Sequence, residues 1–282
     1  MNDRRQLIGL LTAVCAVVLG IPTSASAQAT DDRQADSTGQ AWLERCRDND
    51  RDWGDGERYC EVRVSRMPAG KSLDVDGQQN GSVHVYGWDR DEVRVVAKIQ
   101  TNAQDADAAK ELASGITVQA SGGRVRADGP SMRRRESWSV SYDVWTPRRT
   151  DVTATAHNGG LAVEDVDGRM DLSTQNGSIA LRRIAGDVRG ETTNGSVTAV
   201  LDGDRWNGDG LDLRTTNGSV NLSIPDRYSA RLETGTTNGG MRIDFPVTVQ
   251  GTIGRHLTTQ LGSGGPPIRA VTVNGAVSIR RR

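Results

Sequence analysis

The residues of this 282-residue chain that could do chemistry are few and scattered. His84, His157 and His256 stand far apart, and none has a metal-ligand spacing such as H-x-x-x-H. His157 directly precedes an Asn-Gly pair, where a structural role at a turn outweighs a catalytic one. No G-x-S-x-G, P-loop or paired-cysteine zinc pattern occurs. Carboxylates crowd two segments: Glu164, Asp165, Asp167 and Asp171 in the first, Asp202, Asp204, Asp209 and Asp212 in the second. Clusters of this kind suit a polysaccharide lyase or hydrolase, which needs paired carboxylates in a groove. Asp is also an ordinary turn residue, and solvated turns explain both clusters more simply. The expectation is a protein with no catalytic residues, no metal and no cofactor. A polysaccharide-active β-helix enzyme is the alternative.

Two further features bear on binding. Cys46 and Cys60 flank CRDNDRDWGDGERYC and read as a disulfide in an exported protein. The loop between them carries Asp48, Asp50, Asp52, Asp55 and Glu57. It fails the EF-hand test, because Trp53 stands where the loop glycine belongs and Tyr59 where the bidentate glutamate belongs. Trp206, in DGDRWNGDG, is the candidate ligand contact, an indole able to stack on a sugar ring; the competing reading folds it back over the core as a loop anchor.

The elements that would position these residues are repeats. LSTQNGSIAL, ETTNGSVTAV, TTNGSV and TTNGGM share one unit, with looser copies AHNGGL and TVNGAV. Apolar residues fall three and five places after each Asn, as in Ile179/Leu181 and Val197/Ala199, a period of two that denotes strands. Met170/Leu172/Thr174 and Leu211/Leu213/Thr215 precede the Asn with the matching parity. Gly159, Gly168, Gly177, Gly186 and Gly195 stand nine apart, so each unit has two strands and two corners, where glycine is expected to supply positive φ. The fold expected is all-β: a β-solenoid of ~18-residue Asn-Gly coils with an N-terminal β-rich cap containing one short helix. An antiparallel β-meander of Asn-Gly hairpins is the alternative. The successive Asn spacings are 18, 18, 23, 21 and 36, the last read as twice the coil length.

Along the chain, residues 1–27 read as a secretory signal peptide: Arg4 and Arg5, an apolar run from Leu7 to Leu19, and Ala25-Ser26-Ala27. Residues 28–59 are expected to be a flexible tether and a disulfide-closed loop. Residues 60–150 form the β-rich cap, with a helix from Ala103 to Ser114, and 151–282 the solenoid repeats. Leu73 and Val75 have the opposite parity to the other units, so their stretch reads as a divergent first coil. Net charge of −1 argues against a nucleic-acid partner, and no later stretch is long and apolar enough to span a membrane. Arg280, Arg281 and Arg282 would discourage edge pairing or meet an anionic surface.

The run from Tyr142 to Val197, with V-x-x-P before the first Asn-Gly, serial NGS[VI], and GSGG ahead of TVNG, resembles the bacterial domain-of-unknown-function 4097 family. That family carries an adhesin label which is itself a prediction. The resemblance covers about Cys60 to Ile279. It implies an exported solenoid-like domain and brings no catalytic residues. The function expected is therefore adhesin-like binding at the bacterial envelope, in the periplasm or at the cell surface. The partner is an envelope glycan, peptidoglycan or protein.

Overall fold

The computed structural model describes residues 37–48, 56–245 and 255–282. The expected leader at 1–27 and the loop carboxylates Asp50, Asp52 and Asp55 lie outside those residues.

Period-two alternation becomes strands, and in the repeats from β8 to β15 nearly every second side chain is buried, whereas β4 and β7 bury runs of consecutive residues. A helix, α1 (37–48), is followed by β1 (Glu57–Pro68), β2 (Ser72–Asp76), β3 (Val83–Trp88) and β4 (Glu92–Ala103). Helix α2 (Ala106–Ser114) precedes β5 (Thr117–Ser121), β6 (Arg124–Asp128) and β7 (Ser137–Pro147). The repeats supply β8 (Asp151–Ala156), β9 (Leu161–Glu164), β10 (Asp167–Thr174), β11 (Ile179–Arg182), β12 (Ala185–Asn194) and β13 (Val197–Val200). The chain closes with β14 (Gly210–Asn217), β15 (Val220–Ile224), β16 (Ala230–Asn238), β17 (Met241–Ile243), β18 (His256–Leu261), β19 (Pro267–Asn274) and β20 (Val277–Arg281).

Two ten-stranded sheets face each other across one continuous core, and each repeat gives one strand to each sheet. Equivalent strands pair in parallel, Met170 beside Val188 in one sheet and Ile179 beside Val197 in the other. Stacked coils pair in this way, whereas a meander of hairpins does not. Met170, Leu172, Ile179, Leu181, Leu211 and Leu213 are all fully buried between the sheets. The first coil is β2 with β3, on which β8 and β9 stack. Leu73 and Val75 occupy the same inward positions as Val152 and Ala154, and the extra residue that shifted their parity is absorbed at Gln78, at φ 51°.

One corner is stitched from coil to coil. Asn80, Asn158, Asn176, Asn194, Asn217, Asn274 and Asn238 form a ladder in which each side-chain amide donates to the preceding carbonyl at 2.8–3.0 Å. Beneath it, the hydroxyls of Thr174, Thr192, Thr215, Thr272 and Thr236 donate to the corner-glycine carbonyls of the neighbouring coil at 2.7–2.8 Å. Positive φ is not why glycine follows each Asn: of these corner glycines only Gly275 has it, at 157°. The requirement is close approach. A Cβ on Gly177, Gly195 or Gly218 would stand 2.0 Å from the previous corner's carbonyl oxygen.

The C-terminal order departs from the sequence order. β19 and β20 lie between β14/β15 and β16/β17, and β18 runs antiparallel along the outer edge of β16. Among the described residues, the spacing of 36 between Asn238 and Asn274 therefore holds no further coil. The chain leaves the last coil, edges it with β18, and returns to fill the place beneath it.

At the other end, β4 and β7 pair antiparallel with each other, as β1 does with β4, prolonging one sheet, and β6 and β5 close the second. Asp105 caps α2, accepting from the Ala108 N–H at 2.8 Å, and Ala109, Leu112 and Ala113 are its buried face. Helix α1 replaces the end of the expected tether. It lies on the outer face of the prolonged sheet, where Gly39 meets Val62 and Val96, and the Cys46–Cys60 disulfide joins it to β1. Only Gly39 and Cys46 are buried in it, so its sequence displays no apolar stripe. No helix among the described residues is long and apolar enough to cross a membrane.

Candidate functional site

Where the first coil turns, a cleft of about 590 Å³ opens between the corner after β2, the β6–β7 loop and the end of β8. The irregularity at Gln78 builds it. Asp76 accepts from the Gln78 backbone N–H at 2.8 Å, and the Gln78 side chain donates to the Ala127 carbonyl at 2.6 Å, fastening the corner to the end of β6. Gln79 and Asn80 are exposed on this corner, and Asn80 starts the amide ladder. Opposite them stand Trp138, its indole N–H held by the Pro130 carbonyl at 3.0 Å, and Met132, 49% exposed. Asp128 is paired with Arg126 at 3.2 Å.

One buried group is left over in the core behind this cleft, outside its lining. Tyr142 is 1% exposed and its hydroxyl has no hydrogen-bond partner among the described residues. Burial, and then the charges of Asp76 and Asp128, push its pKa well above the usual phenol value, so it stays a neutral donor. Both of those carboxylates line the cleft.

Two carboxylates from each cluster read from the sequence are brought together elsewhere. Asp165, Asp167, Asp202 and Asp204 line one depression of about 670 Å³ beside Trp206, and Glu164, Asp171, Asp209 and Asp212 do not line it. Arginines occupy three of the four. Asp165 is gripped by Arg183 at 2.8 Å and Arg148 at 3.2 Å, Arg183 also bonds Glu164, and Asp202 holds Arg282. Asp165 is held below the ordinary carboxylate range chiefly by its hydrogen bond to Arg183, and Asp204 by Arg205. A glycosidase acid needs the opposite shift. The terminal arginines serve the fold as well, Arg281 meeting Asp226 at 3.1 Å and Arg282 the Leu201 carbonyl at 2.9 Å.

Trp206 corrects the expectation of an exposed stacking face. It is 3% exposed, belongs to the main core, and donates its indole N–H to the Gly186 carbonyl at 3.0 Å. Burying the large ring gains more than leaving it on a loop, so it anchors the insertion.

The histidines do not converge. His157 lines the cleft, and its backbone N–H donates to the Gln78 carbonyl at 2.7 Å. His256 is exposed on β18. His84 lies on the outer face of the first sheet, 3.6 Å from the fully buried Asp143, which Lys98 meets at 2.8 Å. Burial lowers the pKa of His84, opposed by Asp143 and aided by Lys98. No alternation or motif marks this trio, because it is assembled across three strands. Among the described residues, no group of three or more His, Cys, Asp or Glu could hold a metal ion.

The model of the family Toastrack DUF4097 matches residues 97–280. No curated protein matches the chain. Among solved structures, a "putative cell adhesion protein" from Clostridium sporogenes is similar at 10% identity and a TM-score of 0.44, covering 80% of this chain and 100% of its own. A "putative adhesin" from Bacteroides fragilis aligns at 10% identity and a TM-score of 0.35, over 79% of this chain and 97% of that one. A "putative lipid binding protein" from Parabacteroides distasonis aligns at 9% identity and 0.30, with the same coverage of 79% and 97%.

Proposed function

Because this chain belongs to the Toastrack DUF4097 family, we propose that it is an exported, non-catalytic binding protein of the bacterial envelope, with the cleft at the first corner as its ligand site. The observation that carries this reading is the cleft itself. There the repeat is interrupted, and an aromatic and a thioether wall faces exposed amides and two carboxylates. The arginine-locked carboxylates support the non-catalytic part. The leader-like sequence of residues 1–27 supports export to the periplasm or cell surface. The regular coils hold the cleft rigidly, which keeps the ordering cost of binding low.

The test is retention of the purified protein on peptidoglycan, lipopolysaccharide and envelope-protein fractions, with and without calcium. Retention on one fraction, weakened by Met132→Glu at the cleft rim, is the expected result. Retention that Met132→Glu leaves untouched would move the site elsewhere on the stack. No retention, together with turnover of a glycan in the supernatant, would refute the non-catalytic reading.

A further inference from the structure

Resting on that binding reading, we propose that the ligand of the first-corner cleft is a glycan, with one sugar ring against Trp138 and its hydroxyls reaching Asp76, Gln79 and Asn80.

The chemistry of the walls selects among ligand classes. An anionic ligand, such as a phosphate or a carboxylate, would meet Asp76 and Asp128 with no uncommitted cation lining the cleft, since Arg126 is already engaged by Asp128. An acyl chain would need apolar lining all round. Here Trp138, Met132, Ala127 and Val140 are faced by amides and carboxylates that the chain would desolvate without compensation. A strongly cationic ligand has only Asp76 to neutralise it, because the Asp128 charge is shared with Arg126.

A pyranose matches both sides of the cleft. Its C–H face packs on an aromatic ring, and its hydroxyls each donate and accept. The amides of Gln79 and Asn80 do the same, and Asp76 only accepts. The cleft volume of about 590 Å³ fits a ligand of one or two rings.

Titration calorimetry with the full chain tests this. The probes are peptidoglycan glycan strands freed of their peptides, polysaccharide freed of its lipid, and a detergent-solubilised envelope-protein fraction. The first two separate the possible sources of the sugar. One saccharide is expected to bind, and Gln79→Ala and Met132→Glu, both at exposed positions of the cleft, each to lower its affinity about threefold at an unchanged melting temperature. Saccharide binding that is equal in both variants and the parent would overturn the assignment to this cleft. Binding of envelope proteins but of neither saccharide would overturn the glycan while leaving the binding reading intact. Absence of binding to all three probes would end both.

Discussion

Substituting alanine for Gly195 tests the stitched corner most directly. A Cβ there would stand 2.0 Å from the Gly177 carbonyl oxygen, and since such contacts are essentially never closer than 3.0 Å, the two coils must separate by 1.0 Å. The oxygen belongs to backbone, so no side-chain rotation relieves it. Three bonds converge on the displaced corner. They are Gly195 N–H to the Asn217 carbonyl at 3.0 Å, Thr215 Oγ1 to the Gly195 carbonyl at 2.8 Å, and Asn194 to Asn176 at 2.8 Å. At about 1 kcal/mol net each, their loss amounts to roughly 3 kcal/mol, or about 6–12 °C in melting temperature for a domain of this size. Gly240 is the matched control, one residue beyond a corner glycine, with nothing within 4 Å of its added Cβ. Other coils carry Ser178, Ser196 and Ser219 at that place. Gly240→Ala should stay within about 0.5 kcal/mol of the parent, as surface substitutions usually do. Thermal unfolding followed by circular dichroism reads both. A Gly195→Ala protein that melts with the parent, or a Gly240→Ala protein that falls equally far, would refute the close-approach explanation.

Trp206→Ala should cost about 3–5 kcal/mol in urea denaturation, the scale of a buried aromatic truncation, and an effect below about 1 kcal/mol would return the indole to the surface. Cys46→Ser removes a cross-link worth about 3 kcal/mol in the chain-entropy model. Its consequence should appear as faster amide exchange confined to residues 37–48, and uniform loss of protection across the repeats would contradict a local strap. Leu213→Asp places an unpaired charge at a site with 0% exposure and should prevent folding, read as loss of the strand signal in circular dichroism. For His84, whose folded pKa is lowered, the unfolded chain binds the proton more readily. Stability should therefore fall as pH drops below the unfolded value of about 6.5 and level off below the folded one. His84→Gln should flatten that dip in pH-dependent denaturation, and an unaltered dip would assign it to other groups.

The repeated part of the fold was legible because its information is local and redundant. Seven copies of Asn-Gly with apolar residues at fixed offsets establish which face is buried. The physical reason for the corner glycine was not legible, because positive φ and close approach both demand a missing Cβ and only the neighbouring coil distinguishes them. The C-terminal order was equally hidden. Leu211/Leu213/Thr215, Ile268/Ala270/Thr272 and Leu232/Thr234/Thr236 present the same inward pattern, so any of these strands can lie on any other. β18 decides the order: its antiparallel pairing with β16 takes the outer edge, which leaves the place between β14 and β16 for β19.

The candidate site was missed for a related reason. Sequence reasoning looks for residues that break a pattern conspicuously, and Trp206 in its Gly/Asp-rich insertion did so. The insertion's indole, however, has a Gly186 carbonyl and the main core within reach, so burial captures it. The first-corner cleft draws its walls from Asp76 to Asn80, from Ala127 to Val140 and from the end of β8, segments joined only by the stacking of β2 on β6 and β8. The one local signal was the parity slip at Leu73 and Val75. A repeat that inserts a residue must put it somewhere, and here it becomes the bend at Gln78 that keeps Gln79 and Asn80 out in solvent at the mouth of the cleft. In a stack of otherwise equivalent coils, the coil with the inserted residue has the freedom to shape a site, because the bend at Gln78 lies outside the Asn ladder and the glycine contacts that hold the coils, this one included at Asn80 and Gly81.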